Sequence, residues 1–225
     1  MLFQLIGGRL DFLTAVIQIL AYLVIIFLIL PFHEWAHAFV AKCLGDTGMK
    51  YRGRLTLNPL EHIDPMGALC MILFGFGWAK PVPIDDRNFK NPKVGMGLSA
   101  LAGPVANLLA ALVGGLLYNL VLIISPNFLP DYYMVVSVVL SFLMFYTYAN
   151  VTLAVFNLLP IPPLDGSKIL FMFLPDKIVY KIYQYERFFF IAVIILIWFL
   201  PIGFISNTVT DFIMNIASLP FIPFR

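Results

Sequence analysis

Charged residues are scarce in this chain of 225 residues. Only 12% of them are Asp, Glu, Lys or Arg, against about 25% in a typical soluble domain, and 61% are hydrophobic. This balance excludes an ordinary soluble domain. The chain also has no basic tract of the kind that binds nucleic acid, and its net charge of +2 says little about partners.

Cysteine is equally rare. Cys43 and Cys70 are the two cysteines, and they lie too far apart in the sequence for a disulfide framework or a Cys-based metal site. We therefore expect both to pack as small hydrophobic residues.

Long uncharged runs are present instead. Each exceeds the roughly 20 residues that a helix needs to cross a bilayer, and they cover residues 12–32, 94–130, 132–164 and 188–210. The first run lacks a small-residue cleavage site, so we interpret it as a retained helix. The pattern predicts an all-α polytopic membrane protein with about four to six membrane helices.

The chain is predicted to form a single membrane-embedded domain over residues 1–225. A first helix at 11–44 is followed by a mixed region at 46–93, where 54–57 and 80–84 have the pattern of short membrane-associated β segments. Within that region, 65–79 is apolar but too short for an ordinary span, which favours a re-entrant segment. The remaining predicted parts are a Gly-Pro helix (94–124), a Leu-Asp-Gly region (132–174) and a last span (188–205).

The first helix carries the sequence His33-Glu34-Trp35-Ala36-His37. Four residues correspond to about 400° of helical rotation, so the two imidazoles lie on one face. This spacing lets both histidines bind one metal ion, while the glutamate between them can reach a water molecule at the metal. Burying an ionisable group in a bilayer costs about 2.5–3.5 kcal/mol, and a metal ion is a partner that offsets this cost.

Asp165 is the candidate third ligand. It follows three prolines, Pro160, Pro162 and Pro163, that break the helix at membrane depth. One interpretation is that Asp165 caps the helix that follows. The other, which we favour, is metal binding, because two histidines leave zinc one short of its usual three protein ligands.

Two further polar residues admit two interpretations each. His62 is either a structural hydrogen-bonding residue or an accessory residue of the metal site. Asn107 is a lone amide in an apolar helix, where it either bonds a neighbouring helix or faces the site.

The distribution of Lys and Arg predicts an orientation in the membrane. Four lie in each of the segments 42–54, 80–93 and 168–187, and none lies in 125–131. The positive-inside rule places the three basic segments in the cytoplasm of a multi-pass cell-membrane protein. The metal site would then be near the cytoplasmic face, provided that 65–79 enters and leaves on the same side.

Four stretches together resemble the site-2 protease family of intramembrane zinc metalloproteases, in its compact form without a PDZ or CBS domain. They are His33 to His37, Asn58 to Pro65, Gly103 to Asn107, and Asn157 to Gly166. The resemblance implies a three-helix catalytic core that carries the first, third and fourth stretches.

The resemblance also assigns roles to residues. It implies one Zn²⁺ per chain on His33, His37 and Asp165, with Glu34 as the catalytic acid and base. It implies further that Asn157 and Asn107 position substrate or stabilise the oxyanion. The expected substrate is the transmembrane segment of another membrane protein within the bilayer, and a regulatory membrane partner is expected as well.

Two other functions remain open on the sequence. A metal-ion transporter could use the same cluster as a permeation site, since polar groups in membrane helices often mark ion pathways. A catalytically inactive membrane scaffold is the second alternative. The His-Glu-x-x-His order favours the protease, because a transporter has no need of a glutamate at that offset.

Overall fold

The computed structural model describes residues 12–74, 77–125, 129–185, 188–189 and 200–224. Its α-helices are α1 (Phe12–Val24), α2 (Leu30–Leu44), α3 (Gly48–Tyr51), α4 (Pro59–His62), α5 (Pro65–Phe74), α6 (Pro92–Ile124), α7 (Leu129–Asn157), α8 (Asp165–Phe171), α9 (Asp176–Gln184) and α10 (Ile202–Ser218). A π-helical segment covers Ile25–Ile29, and 3₁₀ turns cover Asp86–Asn88 and Leu219–Phe224.

Three helical stretches in the described residues are long and apolar enough to cross a membrane: Ile19–Leu44, Pro92–Ile124 and Tyr132–Asn157. The prediction of an all-α polytopic membrane protein is confirmed. The predicted last span, 188–205, falls mostly on residues outside the described part of the chain, and only its end overlaps α10.

The first membrane helix changes its winding just before the histidine motif. Pro31 has no N–H, and in a regular helix its ring would clash with the carbonyl four residues earlier. The π-helical segment Ile25–Ile29 accommodates it, with the Leu30 N–H bonded to the Ile25 carbonyl. The helix ends at Gly45, whose φ of 125° is a conformation that favours glycine.

Helix α6 lies at the centre of the fold and packs against α2, α7, α8 and α10. Its buried face consists largely of small residues, among them Gly95, Ser99, Ala100 and Gly103, which let neighbouring helices approach closely. The chain therefore brings α2 and α8, which carry the candidate ligands, to the same end of α6.

Ile63 and Ala79, which lie before and after α5 in the chain, are side by side in the structure. Helix α5 has ten residues and is about 15 Å long, which is too short to cross a bilayer. Ile63 and Ala79 form an isolated antiparallel bridge, and the Lys80 N–H donates to the His62 carbonyl at 2.8 Å. The two ends of the segment are therefore neighbours, as a re-entrant hairpin requires.

The prediction of short β segments at 54–57 and 80–84 is wrong, because neither is a strand and the described residues contain only the isolated bridge. Residues 80–84 form no ladder on either edge. Pro81 and Pro83 have no N–H on one edge, and on the other edge the Lys80 N–H donates to the His62 carbonyl and the Ile84 N–H to the Val82 carbonyl. The Val82 N–H is bonded to a side chain of α2 instead. Residues 54–57 are irregular, with bends at 55 and 56, and carry no ladder hydrogen bonds.

Candidate metal centre

Three candidate ligand atoms meet where α2 and the start of α8 lie against α6. His33 and His37 project from the same face of α2, and their Nε2 atoms are 3.0 Å apart. The Asp165 Oδ2 atom lies 3.4 Å from His33 Nε2 and 3.3 Å from His37 Nε2. All three residues are buried, and they are the one His/Cys/Asp/Glu group in the described residues whose atoms could share a metal ion.

The triangle of ligand atoms fits zinc. Bonds of about 2.0–2.1 Å in a tetrahedral site put two ligand atoms about 3.3 Å apart, close to the three separations found here. Two imidazoles and one carboxylate are also an established zinc donor set that leaves a fourth position open. Asp165 does not cap α8. Leu164 occupies the cap position of α8, and the Asp165 carboxylate faces the imidazoles.

The His37 imidazole is held in the tautomer that a metal needs. Its Nδ1 atom lies 2.6 Å from the Ser99 carbonyl oxygen. A carbonyl only accepts, so Nδ1 carries the hydrogen and the Nε2 lone pair is left for a cation.

Gly103 brings α6 against both imidazoles. A Cβ atom at this position would lie 2.4 Å from His37 Nε2 and 2.5 Å from His33 Cε1. Any larger side chain at Gly103 would displace the two rings, so the glycine is a steric requirement of the centre.

Glu34 lies beside the ligands and lines the same cavity of about 350 Å³. Its side chain is almost buried, and its Oε2 atom accepts a hydrogen bond of 3.2 Å from the Val82 N–H. The rest of the cavity wall is mainly apolar, with contributions from Leu30, Trp78, Pro81, Val82, Ile84, Leu153 and Phe156. A cavity of this kind suits an apolar peptide next to a polar reaction centre.

The structure separates the three accessory candidates. Asn157, the last residue of α7, lines the cavity with the candidate ligands. Asn107 is fully buried one helical turn after Gly103, and neither atom of its amide has a hydrogen-bond partner in the described residues. His62 lies outside the cluster, and its Nε2 contacts the Thr56 carbonyl oxygen at 2.8 Å.

Two features of the site had not been anticipated. Lys168 lines the cavity, and its Nζ lies 3.6 Å from Asp165 Oδ1. The i,i+3 spacing of Asp165 and Lys168 is visible in the sequence, so this contact could have been found there. The backbone N–H of Val82 has no comparable signal, since only the folded chain brings it to Glu34.

A helical membrane protein with two histidines, one aspartate and an adjacent glutamate in an apolar cavity has the features of a membrane-embedded metallopeptidase. The model of Peptidase family M50 matches residues 119–200 of the chain. The chain is 38% identical to "Putative zinc metalloprotease YwhC" of Bacillus subtilis (strain 168) over 193 residues, which cover 85% of this chain and 86% of that protein.

Two more distant relatives have similar names. "Putative zinc metalloprotease Rip2" of Mycolicibacterium smegmatis is 33% identical over 173 residues, 71% of this chain and 62% of the relative. "Putative zinc metalloprotease MJ0611" of Methanocaldococcus jannaschii is 30% identical over 143 residues, 62% of this chain and 63% of the relative. No solved structure gives a significant match.

The chain belongs to peptidase family M50, the site-2 protease family. It is therefore a zinc metalloprotease of the membrane. The resemblance seen in its sequence is confirmed at the level of the family.

Proposed function

We propose that the protein is an intramembrane endopeptidase that hydrolyses a peptide bond in or near the transmembrane segment of another membrane protein. The observation that carries this proposal is the meeting of His33, His37 and Asp165 within 3.4 Å beside Glu34 in one cavity. Both histidines lie on a helix long and apolar enough to span a membrane.

The proposed ligands are His33, His37 and Asp165, and they hold one zinc ion per chain. Zinc bound in this way polarises a carbonyl group and makes a water molecule more acidic. Glu34 is the general base that removes a proton from the water molecule attacking the peptide carbonyl. Glu34 then donates this proton to the leaving amine, so the bond breaks without a charged amide leaving group.

Asn157 is proposed to bind the substrate close to the scissile bond, since it lines the cavity at the end of α7. Its amide can donate to a carbonyl oxygen whose negative charge grows as the bond to water forms. Asn107 is buried on the α6 face that carries Gly103, and its amide has no hydrogen-bond partner among the described residues, which supports a positional role near the ligands.

The substrate must enter the cavity with its backbone extended. In a transmembrane helix every carbonyl is bonded within the helix, so the segment has to unwind before water can attack it. Pro81, Val82 and Ile84 line the cavity but offer few donors for edge pairing. The proline has no N–H, and the N–H groups of Val82 and Ile84 are already bonded to Glu34 and to the Val82 carbonyl. Contacts of the apolar wall with substrate side chains are therefore expected to contribute more than a β-ladder.

The active site is proposed to lie near the cytoplasmic face of the cell membrane. The contact between Ile63 and Ala79 supports this orientation, because it leaves the basic segments 42–54 and 80–93 on one side. A membrane-protein partner that regulates access remains part of the proposal.

Proteolysis in liposomes tests this function. We expect the purified protein to cut a reconstituted transmembrane substrate, with the new termini located in or next to its apolar segment by mass spectrometry. A zinc chelator should stop the reaction and added zinc should restore it. Zinc uptake into the same liposomes without cleavage of several substrates would contradict the protease and favour a transporter, and neither activity would favour a scaffold.

A further inference from the structure

The described residues contain three buried carboxylates, and only two of them belong to the metal centre. Glu34 and Asp165 line the cavity, whereas Asp46 lies just after α2 and is 0% exposed. A buried carboxylate needs compensating hydrogen bonds, so its partners indicate what it holds in place.

Asp46 accepts three hydrogen bonds through its two oxygen atoms. Oδ2 accepts from the Asp85 N–H at 2.8 Å, and Oδ1 accepts from Asn88 Nδ2 at 2.9 Å and from the Gly48 N–H at 3.2 Å. Gly45 adds a close contact, because a Cβ atom there would lie 2.7 Å from the Asn88 carbonyl oxygen. The end of the histidine helix is thereby joined to the turn at residues 85–88.

The carboxylate of Asp85 caps the turn itself, since its Oδ1 accepts from the Arg87 N–H at 3.2 Å. It forms an exposed ion pair with Arg87, 2.8 Å between Oδ2 and Nη2, and these hydrogen bonds from Arg87 lower the pKa of Asp85 to about 2. Only the backbone N–H of Asp85 contacts Asp46. The Asp86 side chain makes no hydrogen bond to Asp46, Gly48 or Asn88, so a substitution at Asp86 leaves the junction intact.

The extended segment that lines the cavity ends at this junction. The Arg52 guanidinium donates to the Pro83 carbonyl, and Val82 and Ile84 pack against the cluster of Ala38, Ala41, Met49 and Phe89. Three residues before Asp85, the Val82 N–H donates to Glu34. A shift of the segment by one residue would replace this donor with Pro81 or Pro83, which have no N–H.

We propose that Asp46 is a positioning residue that fixes the register of residues 80–85, so that the Val82 N–H holds the Glu34 carboxylate in its reactive orientation. The inference rests on the proposed function, since it assigns the role of general base to Glu34. Asp46 itself touches neither the ligands nor the cavity wall.

Asp46→Asn tests the role with almost no change in volume. An amide has one accepting oxygen, so its NH₂ group must face either Asp85 N–H or the donors from Asn88 and Gly48. We expect wild-type zinc content, a kcat about 10- to 100-fold lower on a transmembrane substrate, and a KM changed less than threefold, because small misplacements of a reacting group cost up to about 10²-fold. Hydrogen–deuterium exchange at residues 82–88 should be faster.

Two further variants separate positioning from general stability. Asp86→Asn makes the same chemical change at an exposed residue and should match the wild type. In the double variant Asp46→Asn/Asn88→Asp, the amide at position 46 donates to the carboxylate at position 88, so the donor and the acceptor of this hydrogen bond are exchanged. The amide oxygen at position 46 is left to accept from the Asp85 N–H. It should recover at least a third of the wild-type kcat and slow the exchange again.

The inference is overturned if Asp46→Asn keeps the wild-type kcat at equal zinc content, or if its exchange is unchanged. It is also overturned if the double variant recovers neither property. Failure of the proposed function would look different, because the wild type and Asp86→Asn would then both fail to cut any membrane substrate, whatever the exchange data show.

Discussion

The two walls of the active-site cavity are held in place by different forces. The first, the packed wall, is formed by α2, α6 and α8. It depends on close packing of small residues and on two imidazoles that nearly touch Gly103. The opposite wall, which we call the extended wall, consists of residues 77–84 and has no ladder of its own. Glu34 of α2 and Arg52 of the loop after it bind the backbone of this wall, at Val82 and Pro83. Asp46 binds the backbone of Asp85, the residue directly after the wall.

This difference predicts different failures. Damage to the packed wall should remove zinc, because ligand geometry depends on it. Damage to the extended wall should leave zinc bound and impair turnover or substrate binding. Each of the substitutions below tests one side of this comparison.

The largest effect is expected for Asp165→Ala. It removes one of three ligand atoms and leaves two histidines, too few for a stable zinc site. Zinc content should fall below about a tenth of the wild-type value, and cleavage should be undetectable. Asp176→Ala, an exposed acidic residue paired with Lys93, is the matched control and should keep both.

Gly103→Ala is expected to have the next largest effect. The added Cβ would overlap both imidazoles, which must move apart or push α6 away. Zinc affinity should fall about 10- to 100-fold in a competition assay with a chelator, by analogy with the loss of groups that orient metal ligands.

Gly203→Ala is the control for this change, since among the described residues its Cβ would meet only the Tyr148 hydroxyl, at 4.0 Å. Equal zinc affinity in Gly103→Ala and Gly203→Ala would show that the packed wall does not set ligand geometry.

Arg52→Gln is expected to have the smallest effect of the three. The guanidinium donates to one carbonyl of the extended wall and lies at an exposed position, so its loss should cost about 1 kcal/mol, or roughly a fivefold lower kcat/KM. Zinc content should not change. Arg87→Gln, which removes an exposed pair with Asp85, is the control and should have wild-type kinetics. Zinc loss in Arg52→Gln would contradict the prediction that only the packed wall controls zinc binding.

The same two walls show how far the sequence predicts the structure. The packed wall was accessible because His33, Glu34 and His37 follow helical spacing, and because Asp165 stands out as a charge in an apolar stretch. Asp165 lies 128 positions after His37 in the sequence. The zinc donor set and the family resemblance predict that it joins the two histidines, and the structure brings the same three ligand atoms together.

Residues 80–84 of the extended wall are predicted to be a strand, and the structure has none there. The Pro-rich sequence at 80–84 is typical of an extended strand. Two prolines without an N–H and the hydrogen bond of Val82 to Glu34 leave no ladder. Asp46 gave no signal, because a polar residue after a helix is ordinarily a solvated loop residue. Its burial follows from long-range packing of residues 85–88 against α2, which no local pattern encodes.

The most direct test of the central claim measures zinc content and cleavage of a transmembrane substrate in the same preparations of the wild type and Glu34→Gln. Glu34 is proposed to transfer protons and not to bind the metal, and general acid–base groups contribute about 10²–10⁴-fold to rate. The account predicts one zinc per chain in both proteins and a loss of cleavage of that size in Glu34→Gln. A wild type without zinc, or a Glu34→Gln variant that cuts as fast as the wild type, would contradict it.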